Sequence, residues 1–414
     1  MDDAAFGALL GDLVEQAHRT SPDGLAALVR RTARAMGLDD ARVYLADVQQ
    51  THLVPLPPAD SDSDGPAPAE DTAAATLGVE GTLAGRAYRT ESLRLSTDGA
   101  PVLWLPLLDG VERIGVLRVT APAPAPAPDD ATLARCRTLA SLTALLVASK
   151  TAFSDTILKM VRTRPMTLQA ELAWAFVPPR TLGTADVTSS AVLEPAYEIG
   201  GDAFDHALDA HHLHVTVADA MGHDVAAGLS SALALAGCRS TRRAGGGLAD
   251  ITAAVDRALA EWVPERLLTA VFADLDIATG RLSWVNCGHP APLLIRGSHV
   301  VPGALVRPVH PPLGLGPGYA VPAPVVHRAQ LEPGDRLLVH TDGITEGRGG
   351  GGELFGEPRL VDSILRATAA GEAAPEALHR LIRSVLRHQD GRLTDDATIL
   401  LAEWHPRGAG RAGG

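Results

Sequence analysis

Cysteine is scarce: Cys136, Cys238 and Cys287 stand far apart and form neither a CxxC pair nor the dense spacing of a disulfide framework. That excludes a cysteine-based zinc site and suits a reducing cytoplasm, the expected location. Long hydrophobic runs are scarce too. The longest, "LASLTALLVA" from Leu139, reaches about half of the roughly 18 apolar residues that a bilayer span requires, so no membrane association is expected. Positive charge is in deficit, with 36 Lys and Arg against 49 Asp and Glu for a net charge of −13. Binding to a polyanion is driven by clustered Lys and Arg, so nucleic acid is excluded as a bulk partner. The start, "MDDAAFGALL", is acidic where a secretory signal is basic.

What is present is a globular composition, 46% hydrophobic and 21% charged, in a chain of 414 residues that is too long for one ordinary core. Proline marks the joints. "PAPAPAP", residues 122–128, cannot continue a helix or a central strand and reads as a polyproline-type spacer. After it, "DDATLARCRTLASLTALLVASKTAFSDTILKMVR" runs over thirty residues without Pro or Gly behind the possible N-caps Asp129 and Asp130, which predicts one long helix. A second helical piece, "TLQAELAWAF", stops at Pro178 and Pro179. The expected organisation is a first domain over 1–121, a spacer and helical linker over 122–180, a second domain over 181–405 and a disordered tail over 406–414. From about Thr181 to Trp404 the chain alternates β-type runs with two helical segments.

In the first domain, Phe6, Leu9, Leu10, Leu13 and Val14 lie at i, i+3, i+4, i+7 and i+8, and Leu25, Leu28, Val29, Ala33 and Met36 repeat the helical pattern after Ser21 and Pro22. Strand-like runs follow in "ARVYLAD", "PVLWLPLL" and "RIGVLRVTA", the last two joined as a hairpin by "DGVER". This order, with "VEGTLAGRAYRTE" ahead of the hairpin, resembles a GAF domain. The resemblance implies a small α/β sensor module that binds a small effector or dimerises, although no cysteine precedes Cys136 to hold a covalent chromophore.

The second domain carries four acidic stations: "EIGGDAFD" with Asp202 and Asp205, "VTVADAMGHD" with Asp219, "LLVHTDGITEGR" with Asp342, and "LTDDATILL" with Asp395 and Asp396. A carboxylate is costly to bury alone, so each must be solvated, paired or holding a cation. Singly, an aspartate beside glycine is usually a turn residue. Each station, however, borders a strand-like run, and carboxylates at strand ends can converge on one edge of a sheet.

In order, Gly-Gly-Asp, Asp-x-x-Gly-His entering a helix, Gly-His-Pro, Thr-Asp-Gly and Asp-Asp-x-Thr strongly resemble the PPM (PP2C-type) serine/threonine phosphatases of the SpoIIE and RsbU branch. The likeness extends from about Thr181 to Trp404. It implies an α+β chain whose second domain is a sandwich of two antiparallel sheets flanked by helices, with metals at one end. By the same resemblance Asp202, Asp219, Asp342 and Asp395 are the catalytic carboxylates and metal ligands, Asp219 bridging, with Ala220 offering its carbonyl. Asp396 joins the metal set at a position where the family tolerates other residues, and Asp205 stands behind the ligands. The implied substrate is a phosphoserine protein of the anti-anti-sigma type.

The chemistry agrees with that expectation. Oxygen-only ligands favour Mg²⁺ or Mn²⁺ over zinc, and two such ions would clamp a phosphate and acidify a water without a protein nucleophile. They would also reverse the local field of an acidic protein. Other polar residues read as structural: His211, His212 and His214 as a strand entrance, His223 and the N-cap Asp224 as the start of helix "VAAGLSSALALAG", and His289 as a turn residue. No phosphate-gripping arginine stands out among Arg239, Arg242 and Arg243. Two other classes compete, a catalytically weak scaffold of the same fold and a nucleotide cyclase. "GGDAF" is one residue from the cyclase signature GGDEF, but Ala203 replaces its acid. Phe153, Ile157, Met160 and Val161 in the linker helix are the expected homodimer seam, through which the first domain would regulate the second.

Overall fold

The computed structural model describes residues 1–57, 76–96, 100–122, 128–316 and 318–406. Most of the proline-rich spacer and the tail 407–414 lie outside the described residues. The chain divides into two compact units, Met1–Pro165 and Met166–Gly414. The segment expected to stand apart as a linker is therefore shared between them.

The first unit is a six-stranded antiparallel sheet. Its strands are β1 (Asp40–Ala46), β2 (His52–Pro55), β3 (Leu77–Gly78), β4 (Arg94–Ser96), β5 (Val102–Asp109) and β6 (Glu112–Thr120), in the order β3-β2-β1-β6-β5-β4. Alternation sorts its residues. Val43, Leu45, Leu103, Leu105, Leu117 and Val119 face the helices Asp3–Arg19, Leu25–Ala35 and Asp130–Thr151 in one core. Tyr44 and Val116 face the helix Leu83–Thr90 on the other side.

Two expectations change here. The long helix is broken: it ends at Thr151 and restarts at Asp155, where the Ser154 side chain accepts a hydrogen bond from the Ile157 amide as a new N-cap. The dimer seam is also used up. Ile157 is buried in the unit's own core, with Met160 and Val161 packed against it, and only Phe153 stays exposed. The 22-residue helix Asp130–Thr151 is, among the described residues, the one long and apolar enough to cross a membrane by length and composition, which the ten-residue run did not foretell. Its Cys136, Leu139, Ala140, Ala144 and Val147 are buried in the core of this unit.

The second unit places two antiparallel sheets face to face. The strands are β7 (Thr181–Gly183), β8 (Val187–Glu194), β9 (Asp202–Leu208), β10 (His212–Ala220), β11 (Leu268–Asp276), β12 (Arg281–Cys287), β13 (Leu293–Arg296), β14 (His299–Val300), β15 (His327–Gln330), β16 (Arg336–His340) and β17 (Ala397–Trp404). One sheet runs β15-β12-β11-β10-β9 and the other β14-β13-β16-β17-β8-β7. Phe204, Leu213, Val215, Val217, Val271 and Trp284 from the first meet Val187, Leu193, Val339, Leu400 and Trp404 from the second in a shared core. The outer faces are covered by helices. Val225–Arg243 and Leu248–Trp262 pack on the five-stranded sheet, and Gly356–Ala369 and Ala374–His388 pack on the six-stranded one.

With the short helix Asp342–Thr345, the described residues after Thr181 form five helices rather than the two expected. The helices over 356–369 and 374–388 form in an Ala- and Arg-rich stretch, where few large apolar residues mark the amphipathic face. The antiparallel sandwich with flanking helices is as expected.

Candidate active site

Topology brings the four stations to one end of the sandwich. Asp202 opens β9 and Asp219 stands near the end of β10, and because these strands are antiparallel the two aspartates are register partners, Asp219 opposite Asp202. Asp342 follows β16 by two residues, Asp395 and Asp396 immediately precede β17, and those two strands are also antiparallel neighbours. Alternation then decides which way each side chain points. In β10 the core residues Leu213, Val215 and Val217 share their face with Asp219, and in β9 Phe204 shares its face with Asp202. Both carboxylates therefore extend the interior row of the sandwich to its rim.

Directly opposed like charges in a buried setting disfavour ionisation. Burial, and then the charges of Asp219 and Asp396, push the Asp202 carboxyl well above the usual carboxylate range. Burial, and then the charges of Asp342, Asp395 and Asp396, push Asp219 up to about 7. Among the described residues, the groups acting on these two are acids and threonines, with no lysine or arginine. Exposure is graded across the cluster: Asp202 is buried, Asp219 and Asp342 are half-buried, and Asp395 is exposed, so the group opens to solvent on one side.

Close backbone packing holds this arrangement. A Cβ on Gly200 would overlap the backbone of His223, and one on Gly201 would collide with the carbonyls of Ala220 and Gly222, so the Gly-Gly pair lets the loop lie against the end of β10. The Ser231 hydroxyl, from the helix behind, donates to the Gly201 carbonyl. Asp396 has a task that its sequence position did not reveal. Its Oδ2 accepts from the amides of Gly200 at 2.8 Å, Gly201 at 2.7 Å and Asp202 at 3.2 Å, tying the start of β17 to the Gly-Gly loop. One oxygen of Asp396 is thereby committed to positioning.

Thr341, the first residue of the Thr-Asp-Gly motif, has a role that the motif does not announce. Its hydroxyl donates to Asp202 Oδ2 at 2.8 Å and accepts from the Thr398 amide at 2.9 Å, fixing the Asp202 rotamer from the opposite sheet. The only signal for it was its place immediately before Asp342.

Asp205 is a correction. It lies an odd number of residues from Asp202, so it points to the other face of the sheet, away from the cluster. There its Oδ1 accepts from Arg239 at 2.7 Å and its Oδ2 lies 3.3 Å from Arg242, with the carboxylate 2% exposed. It anchors the helix Val225–Arg243 and does not stand behind the other acids. The same pairing occupies Arg239 and Arg242.

The remaining polar residues are placed as follows. His212 and His214 share the outer face of β10 and each bonds Asp274 at 2.7 Å. Asp224 caps the helix, its Oδ1 accepting from Ala227 at 2.9 Å, and its Oδ2 pairs with Arg266 at 2.6 Å. Exposed His223 sits between Asp224 and Gly222, whose φ of +98° suits glycine. His289 is buried in a turn, its amide bonded to Asn286 Oδ1, and burial pushes its ring down to about 3.

Among the described residues, no three His, Cys, Asp or Glu side chains close around a single point as an all-protein metal cage. The donor set fits a different kind of cation site. Mg²⁺ and ions like it keep several waters and are held through one or two carboxylates, and facing carboxylates without a protein counter-ion at a solvent-open rim supply that. The Ala220 carbonyl belongs to the same rim, against Gly201.

The family model for Stage II sporulation protein E (SpoIIE) matches residues 209–405. Protein IcfG of Synechocystis sp. is 31% identical over 133 residues, which is 32% of this chain and 20% of that relative; the chain thus spans a fifth of its length. Two solved structures are similar in part. The RsbU and RsbW domains of a Mycobacterium tuberculosis protein share 23% identity over 55% of this chain and 62% of theirs, with a TM-score of 0.46. The SiaA-PP2C domain of Pseudomonas aeruginosa shares 21% identity over 52% of this chain and 85% of its own, with a TM-score of 0.45. Within the second unit, residues 209–405 thus match the SpoIIE family model, over a little less than half of the chain.

Proposed function

We propose that the second unit is a Mg²⁺- or Mn²⁺-dependent phosphatase that hydrolyses phosphoserine or phosphothreonine on a regulatory protein in a partner-switching pathway. The observation that carries this reading is the Asp202–Asp219 register pair, ringed by Asp342, Asp395 and Asp396 at a solvent-open rim with no protein cation acting on it. Asp202, Asp219, Asp342, Asp395 and the Ala220 carbonyl are the groups that would hold two ions. When bound, such ions neutralise phosphate charge and acidify water.

The chain's own part is positional. Thr341 fixes Asp202, Asp396 and the two glycines fix the loop that carries it, and the two sheets present their acids from opposite sides. No side chain at the rim acts as a nucleophile in this reading. The first unit is a GAF-like sensor module that regulates the second through a small effector or a partner, in a cytoplasmic setting. The target is an anti-anti-sigma-like phosphoprotein.

The test is manganese-dependent hydrolysis of an aryl phosphate and of a phosphoserine protein by the full chain and by Asp342→Asn. A fall on the order of 10²- to 10³-fold in the variant is expected, the usual loss for removing one electrostatic stabiliser. Manganese titration followed by melting temperature gives a second readout. At a hundredfold excess over its dissociation constant the ion stabilises the native protein by about 2.7 kcal/mol, and less in the variant. An unchanged rate together with an unchanged melting curve would refute the assignment.

A further inference from the structure

Beside the acid cluster, within the second unit, lies a cavity of about 610 Å³. The volume falls within the roughly 300 to 1,000 Å³ of ligand sites. One wall is apolar and comes from the β13–β14 hairpin and the loop after it, including Val301, Leu305 and Val306, the last 58% exposed. The rest of the cavity's lining includes the acids Asp342, Glu346 and Glu357, together with His340 and Thr345. Among the described residues, no lysine or arginine lines the cavity.

Asp342 and Glu346 are four residues apart across the short helix Asp342–Thr345, with the Glu346 amide donating to the Asp342 carbonyl at 2.7 Å. Like charges at that spacing repel, a cost that a cation between them would offset. Because Asp342 belongs to both features, the cavity adjoins the acid cluster.

We infer that this cavity docks the stretch of the phosphoprotein substrate next to its phosphoserine, and that this stretch carries a lysine or arginine together with an apolar side chain. The inference rests on the phosphatase reading above and adds the recognition element to it. A basic side chain meets the Glu346 and Glu357 carboxylates while its apolar neighbour covers Val306. A flanking segment rich in Asp or Glu is repelled by the same carboxylates. Charged groups of this kind set the choice of partner more than the overall strength of binding.

The test compares, on the full chain with manganese, two phosphoserine peptides that differ only in flanking Lys and Leu against flanking Gln and Leu, with an aryl phosphate as the sequence-free substrate. The native protein is expected to favour the basic peptide roughly three- to tenfold in kcat/KM, from charge contacts to two exposed glutamates. In the double variant E346Q/E357Q the ratio between the two peptides falls to near one. Both glutamates are exposed, so the variant folds, which a melting curve checks. Binding of the unphosphorylated basic peptide, read by fluorescence anisotropy, weakens in parallel and weakens further with added salt.

No preference in the native protein, or a preference that survives in the double variant, overturns the inference. Should aryl phosphate and both peptides all fail to turn over, it is the phosphatase reading that falls, and the anisotropy comparison decides the docking site by itself.

Discussion

The two faces of β9 present the same residue type in opposite circumstances. Asp202 and Asp205 are three positions apart and both 2% exposed. Asp205 is held by Arg239 and Arg242, whereas Asp202 faces another carboxylate and, among the described residues, is met by the Thr341 and Thr398 hydroxyls and neighbouring acids. Desolvation costs both of them several kcal/mol, but only one is compensated by charges of the chain itself. A buried acid with two arginines is a fastener. A buried acid facing an acid holds a proton or, when ionised, needs a charge from outside the chain, which is what the proposed metal site would supply.

The sharpest way to break this comparison is to remove each acid in the presence of a chelator. Asp205→Ala leaves two arginines over a buried position and is expected to destabilise the second unit by roughly 3 kcal/mol, read by denaturant unfolding. Asp202→Asn relieves repulsion and is expected to cost nothing under those conditions, or to stabilise. Equal losses would mean that the two faces are alike. A somewhat smaller effect is expected for Thr341→Val, which removes the donor that orients Asp202 while keeping the volume. Partners that orient a ligand are typically worth 10- to 100-fold in metal affinity, so manganese binding by calorimetry should weaken within about that range.

Per pH unit, the smallest effect is expected at His206, which shares the interior row with Asp202 and Phe204. Its Nε2 faces the Pro179 carbonyl at 2.7 Å and must carry the proton, so Nδ1 accepts from the Ser189 hydroxyl at 2.9 Å. Burial pushes this ring down to about 4, from an ordinary value near 6.5. The folded state therefore binds fewer protons than the unfolded one between those two values, and its stability falls as the pH drops from about 6.5 toward 4. The advantage of the native protein over His206→Gln should shrink by about 1.4 kcal/mol per pH unit across that window. A constant difference would show that the histidine is already charged.

Much of this was legible from pattern alone. Alternation in "HLHVTVADA" places Asp219 on the same face as Val215 and Val217, and the five ordered motifs point to one acid cluster before any fold is drawn. The linker was misread for a physical reason. A run free of Pro and Gly can form one helix, but a serine three residues before a free amide can end one helix and cap the next, and tertiary packing chooses between them. In the same way, Phe153, Ile157, Met160 and Val161 look like a seam because apolar spacing says only that a face is buried. It does not say whether the burial is against a second copy or inside the same unit.

By itself, then, the sequence determined the residue types at the rim, the strands that carry them and the oxygen-only character of any site they build, since composition and period are local properties of the chain. Tertiary structure alone decided that Asp202 and Asp219 are opposed, that Asp396 spends an oxygen on three backbone amides, that Thr341 reaches Asp202, and that Asp205 belongs to the arginines. Those are relations between residues up to nearly 200 positions apart, and strand register and sheet stacking, which no short window contains, are what bring them together.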